Sequence, residues 1–188
     1  MKSICIYLFL FKSMCSFAHP HVFLDVMTEP QINKNIIKGI TFTIRMDEMN
    51  TVLFSEIYDL NGDKIISNNE FIKLADENLS GIKGNKSHFH IKYGDLKIPI
   101  NTYLIKNISI DKEKLIFKIF IPLNIEIKVL AKLNIAIYDP DYYYDYSYSK
   151  SSFSSEKIKR KFKFNFIKNK KKSYYMGNLN PLEYEVIF

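Results

Sequence analysis

Two histidines, His19 and His21, flank Pro20 directly behind Ser16-Phe17-Ala18, whose small residues suit a signal peptidase. Cleavage after Ala18 would make His19 the first residue of the exported chain. Its α-amine, its imidazole and the His21 imidazole would then share one tip, in a sequence with 4 histidines in all. On a strand the two rings have the same parity and can face one side. Pro20 narrows the chemistry. A square-planar copper or nickel clip through two deprotonated amides needs an N–H at the second residue, and proline has none. What remains is an amine and imidazole set that needs a carboxylate from elsewhere, such as Asp47 or Glu48. Nitrogen and oxygen donors without thiolate suit zinc, nickel or copper(II). The plainer alternative is a frayed terminus with two solvated histidines.

A second set of donors has a more specific spacing. Asp59-Leu60-Asn61-Gly62-Asp63-Lys64-Ile65-Ile66-Ser67-Asn68-Asn69-Glu70 places oxygens where an EF-hand loop needs them. These are the side chains of Asp59, Asn61, Asp63 and Ser67, the Ile65 carbonyl, and Glu70 as the bidentate closing ligand. Ile66 would plug the loop against the core. Lys64 departs from the pattern, because glycine normally takes the sharp turn there, and a lysine at positive φ costs roughly 1 kcal/mol. The metal-free reading is a helix–turn–helix in which Ser67 and Glu70 form a capping box. Calcium, held at the weak affinity of extracellular modules, would stabilise rather than signal.

His88 and His90 flank Phe89 and share a face of an expected strand; ordinary surface or hydrogen-bonded histidines are the plainer reading. At Tyr138-Asp139-Pro140 a strand end is expected, with Asp139 capping backbone amides of a turn. No convergent acid/base or Ser/His/Asp set indicates catalysis, so the chain is not read as an enzyme.

The elements that must position these residues are mostly strands. Val22 to Thr28 reads as a strand ended by Pro30, and Ile36 to Met46 is β-branched and alternating. The period changes at Asp47 to Tyr58, where Met49, Val52, Leu53 and Ile57 recur at helical spacing. Phe71, Leu74, Ala75 and Leu79 mark a second helix. Strand signals return at His88–Tyr93, Leu96–Ile100, Tyr103–Ile110, Leu115–Leu123, Ile125–Tyr138 and Glu183–Phe188, with Pro122 as a break. The run Tyr142–Ser155 reads as an exposed loop. The expected fold is mainly β (α+β): an antiparallel β-sandwich-like body with an EF-hand-like helix–loop–helix insertion at about 47–80.

Residues 1–18 have the parts of a signal peptide: Lys2, the apolar run Ile4 to Leu10, and the small residues before the cut. The run is too short for a membrane anchor, which needs roughly 20 residues of helix. Lys12-Ser13-Met14 before Cys15 is wrong for lipid modification. Both cysteines, Cys5 and Cys15, lie in this leader, so residues 19–188, a single domain by length, have no disulfide and no thiolate ligand. The formal net charge of +7 is local. Residues 19–155 are nearly balanced, and the excess sits in Lys157, Lys159, Arg160, Lys161, Lys163, Lys168 and Lys170-Lys171-Lys172. Ile158, Phe162, Phe164 and Phe166 alternate partly with these lysines, as in a strand with one wet face. Contact of this basic segment with a membrane surface is the sharper alternative, and nucleic acid is not an expected partner of an exported chain.

Taken in order, His19-Pro20-His21-Val22-Phe23, Arg45-Met46-Asp47-Glu48-Met49, the EF-like loop and Tyr138-Asp139-Pro140-Asp141-Tyr142-Tyr143 resemble one family over His19 to about Tyr146. It is the bacterial periplasmic family filed as domain of unknown function 1007, described as the periplasmic component of an uncharacterised ABC-type transport system. Ile44 and Met46 stand where the family usually has aromatic residues. The resemblance implies export to the periplasm and an accessory role in transition-metal transport. The cargo would be zinc, nickel or cobalt, and the partner an inner-membrane permease of the nickel/cobalt type. The alternative is a calcium-stabilised extracytoplasmic interaction module without transition-metal cargo.

Overall fold

The computed structural model of the chain describes residues 21–78 and 87–188. The expected leader, His19 with Pro20, and Leu79 lie outside them. The chain is mainly β, in two five-stranded sheets. In chain order the elements are β1 (Val22–Asn33), β2 (Ile36–Met46), α1 (Glu48–Tyr58), α2 (Asn68–Asn78), β3 (Phe89–Tyr93), β4 (Leu96–Ile98) and β5 (Leu104–Asp111). There follow β6 (Lys114–Glu126), β7 (Lys132–Ile137), β8 (Tyr144–Ser147), β9 (Lys163–Lys168) and β10 (Leu182–Ile187). One sheet runs β5-β6-β2-β1-β8 and the other β4-β3-β7-β10-β9.

Period-two alternation explains the layering. Val22, Leu24, Val26 and Thr28 of β1 are buried while Phe23, Asp25 and Met27 face out. Leu115, Phe117, Ile119 and Ile121 do the same on β6. The second sheet answers with Phe89, Ile91, Leu133, Ile135, Tyr184 and Val186, and both sets belong to one apolar core. The Phe42 and Phe89 rings, 4.6 Å apart, join the sheets directly. Each such fully buried aliphatic or aromatic side chain contributes roughly 1.5–3 kcal/mol.

Several sequence expectations are corrected. Pro30 does not end β1, which runs on to Asn33. The Ile32 amide donates to the Lys157 carbonyl, away from β2, and Pro30 has the same parity. Its missing N–H therefore falls on the edge away from β2, where the chain beyond Asp25 meets only isolated bridges at Phe153 and Ile158, a tolerated place for proline. Pro122 likewise sits inside a continuous β6, because pairing with β5 stops at Phe120 and β2 bulges between Ile37 and Gly39 opposite it. The Tyr142–Ser155 run is not all loop: β8 forms within it and pairs with β1 in parallel, so the first sheet is not wholly antiparallel.

The helix–loop–helix lies where expected, joining β2 to β3. α1 buries Asn50, Thr51, Phe54 and Tyr58. The Thr51 hydroxyl donates to the Asp47 carbonyl at 2.7 Å and accepts the Leu115 amide at 2.8 Å, fastening the helix to β6. The apolar stripe Met49, Val52, Leu53 and Ile57 is left exposed. α2 packs through Phe71 and Leu74, with the Phe71 ring 4.9 Å from Phe117.

Candidate functional site

The beginning of β1 is held from both sides. Asp47, between β2 and α1, is extended (φ −64°, ψ 164°) and caps α1. Its carboxylate accepts the Asn50 amide at 2.9 Å, the Asn50 side-chain amide at 2.7 Å and the Phe23 amide at 3.1 Å. Asn50, itself buried, donates a further bond to the His21 carbonyl at 3.0 Å. Partial burial pushes the Asp47 carboxyl up, but the bonds from Asn50 and Phe23 outweigh it and hold the group below the ordinary carboxylate value. On the other edge the Tyr143 carbonyl accepts the His21 amide at 2.9 Å. The His21 side chain is exposed, its ring centroid 5.0 Å from that of Tyr143.

Tyr143 is in turn fixed by Asp139. The Asp139 carboxylate accepts the amides of Asp141 at 2.9 Å, Tyr143 at 2.8 Å and Tyr144 at 3.0 Å, which is the turn-capping role expected of it. It also lies 3.4 Å from Nε2 of the buried His88, whose Nδ1 is 2.8 Å from the Tyr146 hydroxyl. Burial lowers the His88 pKa, opposed by the charges of Asp139 and Asp141, so the ring is neutral at pH 7. The tautomer that satisfies both contacts carries its proton on Nε2, facing Asp139, and accepts from Tyr146 at Nδ1. Burial first of all pushes Tyr144 up to about 12 and Tyr146 well above the ordinary phenol value; the phenols stay protonated. His90 stacks on Tyr138 with centroids 3.9 Å apart, and burial depresses its pKa to about 4. His88 and His90 are thus packed, hydrogen-bonded residues, in keeping with the plainer of the two sequence readings.

The residues singled out in the sequence are therefore only partly brought together. His21, Asp47 and Asp139 share one end of the body through backbone bonds. His19 lies outside the described residues. Glu48 is exposed in the first turn of α1, 3.8 Å from the Lys114 ammonium. No group of three His, Cys, Asp or Glu side chains gathers to hold a metal among the described residues. Asn50 escaped the sequence reading, although an aspartate opening a helical period with an asparagine three residues on is a legible cap signal.

The loop between the helices is closed by its own side chains. Asp59 accepts the amides of Gly62, Asp63 and Lys64 at 2.8, 3.1 and 2.7 Å. Asn61 accepts the Asp63 amide and Asp63 the Ile65 amide. Glu70 accepts the amides of Leu60 at 2.8 Å and Ser67 at 2.9 Å, and Ser67 accepts the Glu70 amide at 3.4 Å, so the capping box forms. Bonds to Ser67, then to Leu60 and Asn61, hold the Glu70 carboxyl below its usual value despite some desolvation. Lys64 takes φ 63°, the left-handed turn that the spacing required of it. Ile66 is buried as the expected plug, whereas Ile65 faces out. A carboxylate has about four lone-pair sites, so these bonds leave acceptor capacity on Asp59, Asp63 and Glu70.

No curated protein matches the chain. A family model described as "Protein of unknown function (DUF1007)" matches residues 4–186, well past the Tyr146 limit of the sequence resemblance. With nearly its whole length covered by that match, the chain belongs to the DUF1007 family.

Proposed function

We propose that the chain is an exported accessory protein of a transition-metal transport system, taking zinc, nickel or cobalt at the tip formed by His19 and His21. The observation that carries this reading is the double anchoring of β1. His21 is bonded through its amide to Tyr143 and through its carbonyl to Asn50, yet presents its imidazole to solvent. A donor on an anchored strand, as His21 is, loses less entropy on binding an ion than one on a frayed end. Asp47 serves this site by positioning the strand. Glu48, one residue on, is the freer carboxylate to complete a nitrogen-rich set. The partner in this reading is an inner-membrane permease, reached from the periplasm after signal-peptide removal. The loop from Asp59 to Glu70 would bind calcium as a structural brace.

Mass spectrometry of the exported chain tests the first requirement, a start at His19. Titration with Zn, Ni, Co and Cu(II), repeated on His19→Ala and His21→Ala, tests the second. Loss of affinity in both variants is expected. Unchanged affinity, or a chain beginning elsewhere, would remove the metal-cargo reading. A protein that binds only calcium would leave the alternative: a calcium-stabilised interaction module.

A further inference from the structure

The outer face of α1 is the feature that the metal reading does not use. Met49, Leu53 and Ile57 succeed one another at four-residue intervals, and Val52 lies beside them; Leu60 and Ile65 extend the strip across the loop. Their exposures are 63, 49, 58, 52, 62 and 65 % respectively. Scattered exposed apolar residues need no explanation, but a continuous strip along one helix face does. A groove of about 610 Å³ runs beside it, between α1, Lys64 and the Ile110 and Glu113 side chains at the β5–β6 turn. The helix does not need this face for folding, since it packs through Asn50, Thr51, Phe54 and Tyr58.

The charge around the strip narrows the partners that fit it. Residues 47–63 carry Asp47, Glu48, Glu56, Asp59 and Asp63 and no lysine, arginine or histidine, in a chain whose formal net charge is +7. An anionic lipid surface would repel such a helix. A two-fold dimer through α1 would set these carboxylates against their own copies, because an isologous interface brings the same patch to itself. A cationic protein segment is attracted instead, and electrostatic complementarity both steers and orients such a contact.

We propose that the exposed face of α1 is a docking surface for a partner protein that offers an amphipathic helix with apolar anchors flanked by lysine or arginine, laid along the strip as a helix in a groove. The surface operates whether or not the histidine tip binds metal, and its test contains no metal, so the two proposals fail separately.

The probe is a synthetic helical peptide of leucine and lysine with one tryptophan. The protein has no tryptophan, so the emission reports the peptide alone. The expected result is a blue-shifted, salt-sensitive complex with the purified chain, weakened about tenfold or more by the double substitution Leu53→Gln/Ile57→Gln. Glu56→Lys should weaken it as well. All the substituted side chains are exposed, and circular dichroism verifies that the fold persists. Any of five results would overturn the proposal. The leucine/lysine peptide fails to bind, or binds the double variant equally well. A leucine/glutamate peptide binds as tightly. Vesicles of anionic lipid capture the chain through this face. Light scattering finds a dimer that the double substitution dissolves, which would make a second copy the occupant.

Discussion

Asp139 and His88 meet at 3.4 Å beneath the end of the molecule where β1 begins. One carboxylate thereby joins three backbone amides of the Asp141–Tyr144 turn to the ring of the residue just ahead of β3, and that turn supplies the carbonyl that holds His21. The carboxylate thus fixes the turn that anchors His21.

Asp139→Ala should therefore lower stability by about 3 kcal/mol, since it strips several buried donors of one charged acceptor. Urea unfolding measures the loss. Amide exchange should show His21 and Val22 opening faster, because Tyr143 no longer holds its place. Asp139→Asn keeps one acceptor oxygen and should cost less.

Acid sensitivity should come from the histidines. Burial depresses His90 to about 4, against 6.5 for the free side chain. Between these values the unfolded chain takes up the proton that the folded chain refuses, so stability falls as the pH drops from 6.5 towards 4. The contribution is at most about 3 kcal/mol, present in full above 6.5. His88 acts in the same direction. Denaturation midpoints at neutral and acid pH should differ less in His90→Gln than in the parent chain.

Lys64→Gly should raise calcium affinity. It removes a side chain from a residue held at φ 63° and a positive charge from the loop. The conformational gain is about 1 kcal/mol before the entropy that glycine adds to the unfolded chain. Calcium titration followed by thermal melting checks this. A larger calcium-induced rise in melting temperature than in the parent chain is expected, and Glu70→Gln should abolish the rise in both.

Asp47→Ala should cost about 1–2 kcal/mol as a lost helix cap. It also frees the Phe23 amide, so on the metal reading affinity at the tip should fall. The Asp47 carboxyl is held below its ordinary value of 3.8, so its stabilisation is present above that pH and is lost on acidification below it. Metal titration at pH 7 on Asp47→Ala, with Asp47→Asn as the conservative comparison, separates positioning from ligation. A merely structural loss should be partly rescued by Asn.

How much of this was legible in the chain depends on the range of the interaction. Alternation gave Ile36 to Met46 its full extent, and helical spacing placed α1 and α2, because both periods are set by the local backbone. The loop from Asp59 to Glu70 was readable for the same reason, since its side chains bond amides within a few residues. Prolines misled the reading at Pro30 and Pro122. A proline ends a strand only if its missing N–H faces a partner, and that depends on which neighbours the sheet supplies. β8 was missed because its tyrosine-rich sequence has no clean period and its partner, β1, lies far away in the chain.

The apolar stripe of α1 shows the division most plainly. Met49, Val52, Leu53 and Ile57 announce a helix, and the sequence alone determines that much. Which face is buried was decided by Thr51 bonding the Leu115 amide and by Asn50 and Asp47 bonding the start of β1. Those long-range polar contacts turn the helix so that its more hydrophobic side looks outward. The histidine tip divides in the same way. Residue types and spacing name candidate donors and Pro20 limits their chemistry, but only the folded chain fixes His21 between Tyr143 and Asn50. A ligand's identity is local chemistry, while its position depends on hydrogen bonds from residues remote in sequence.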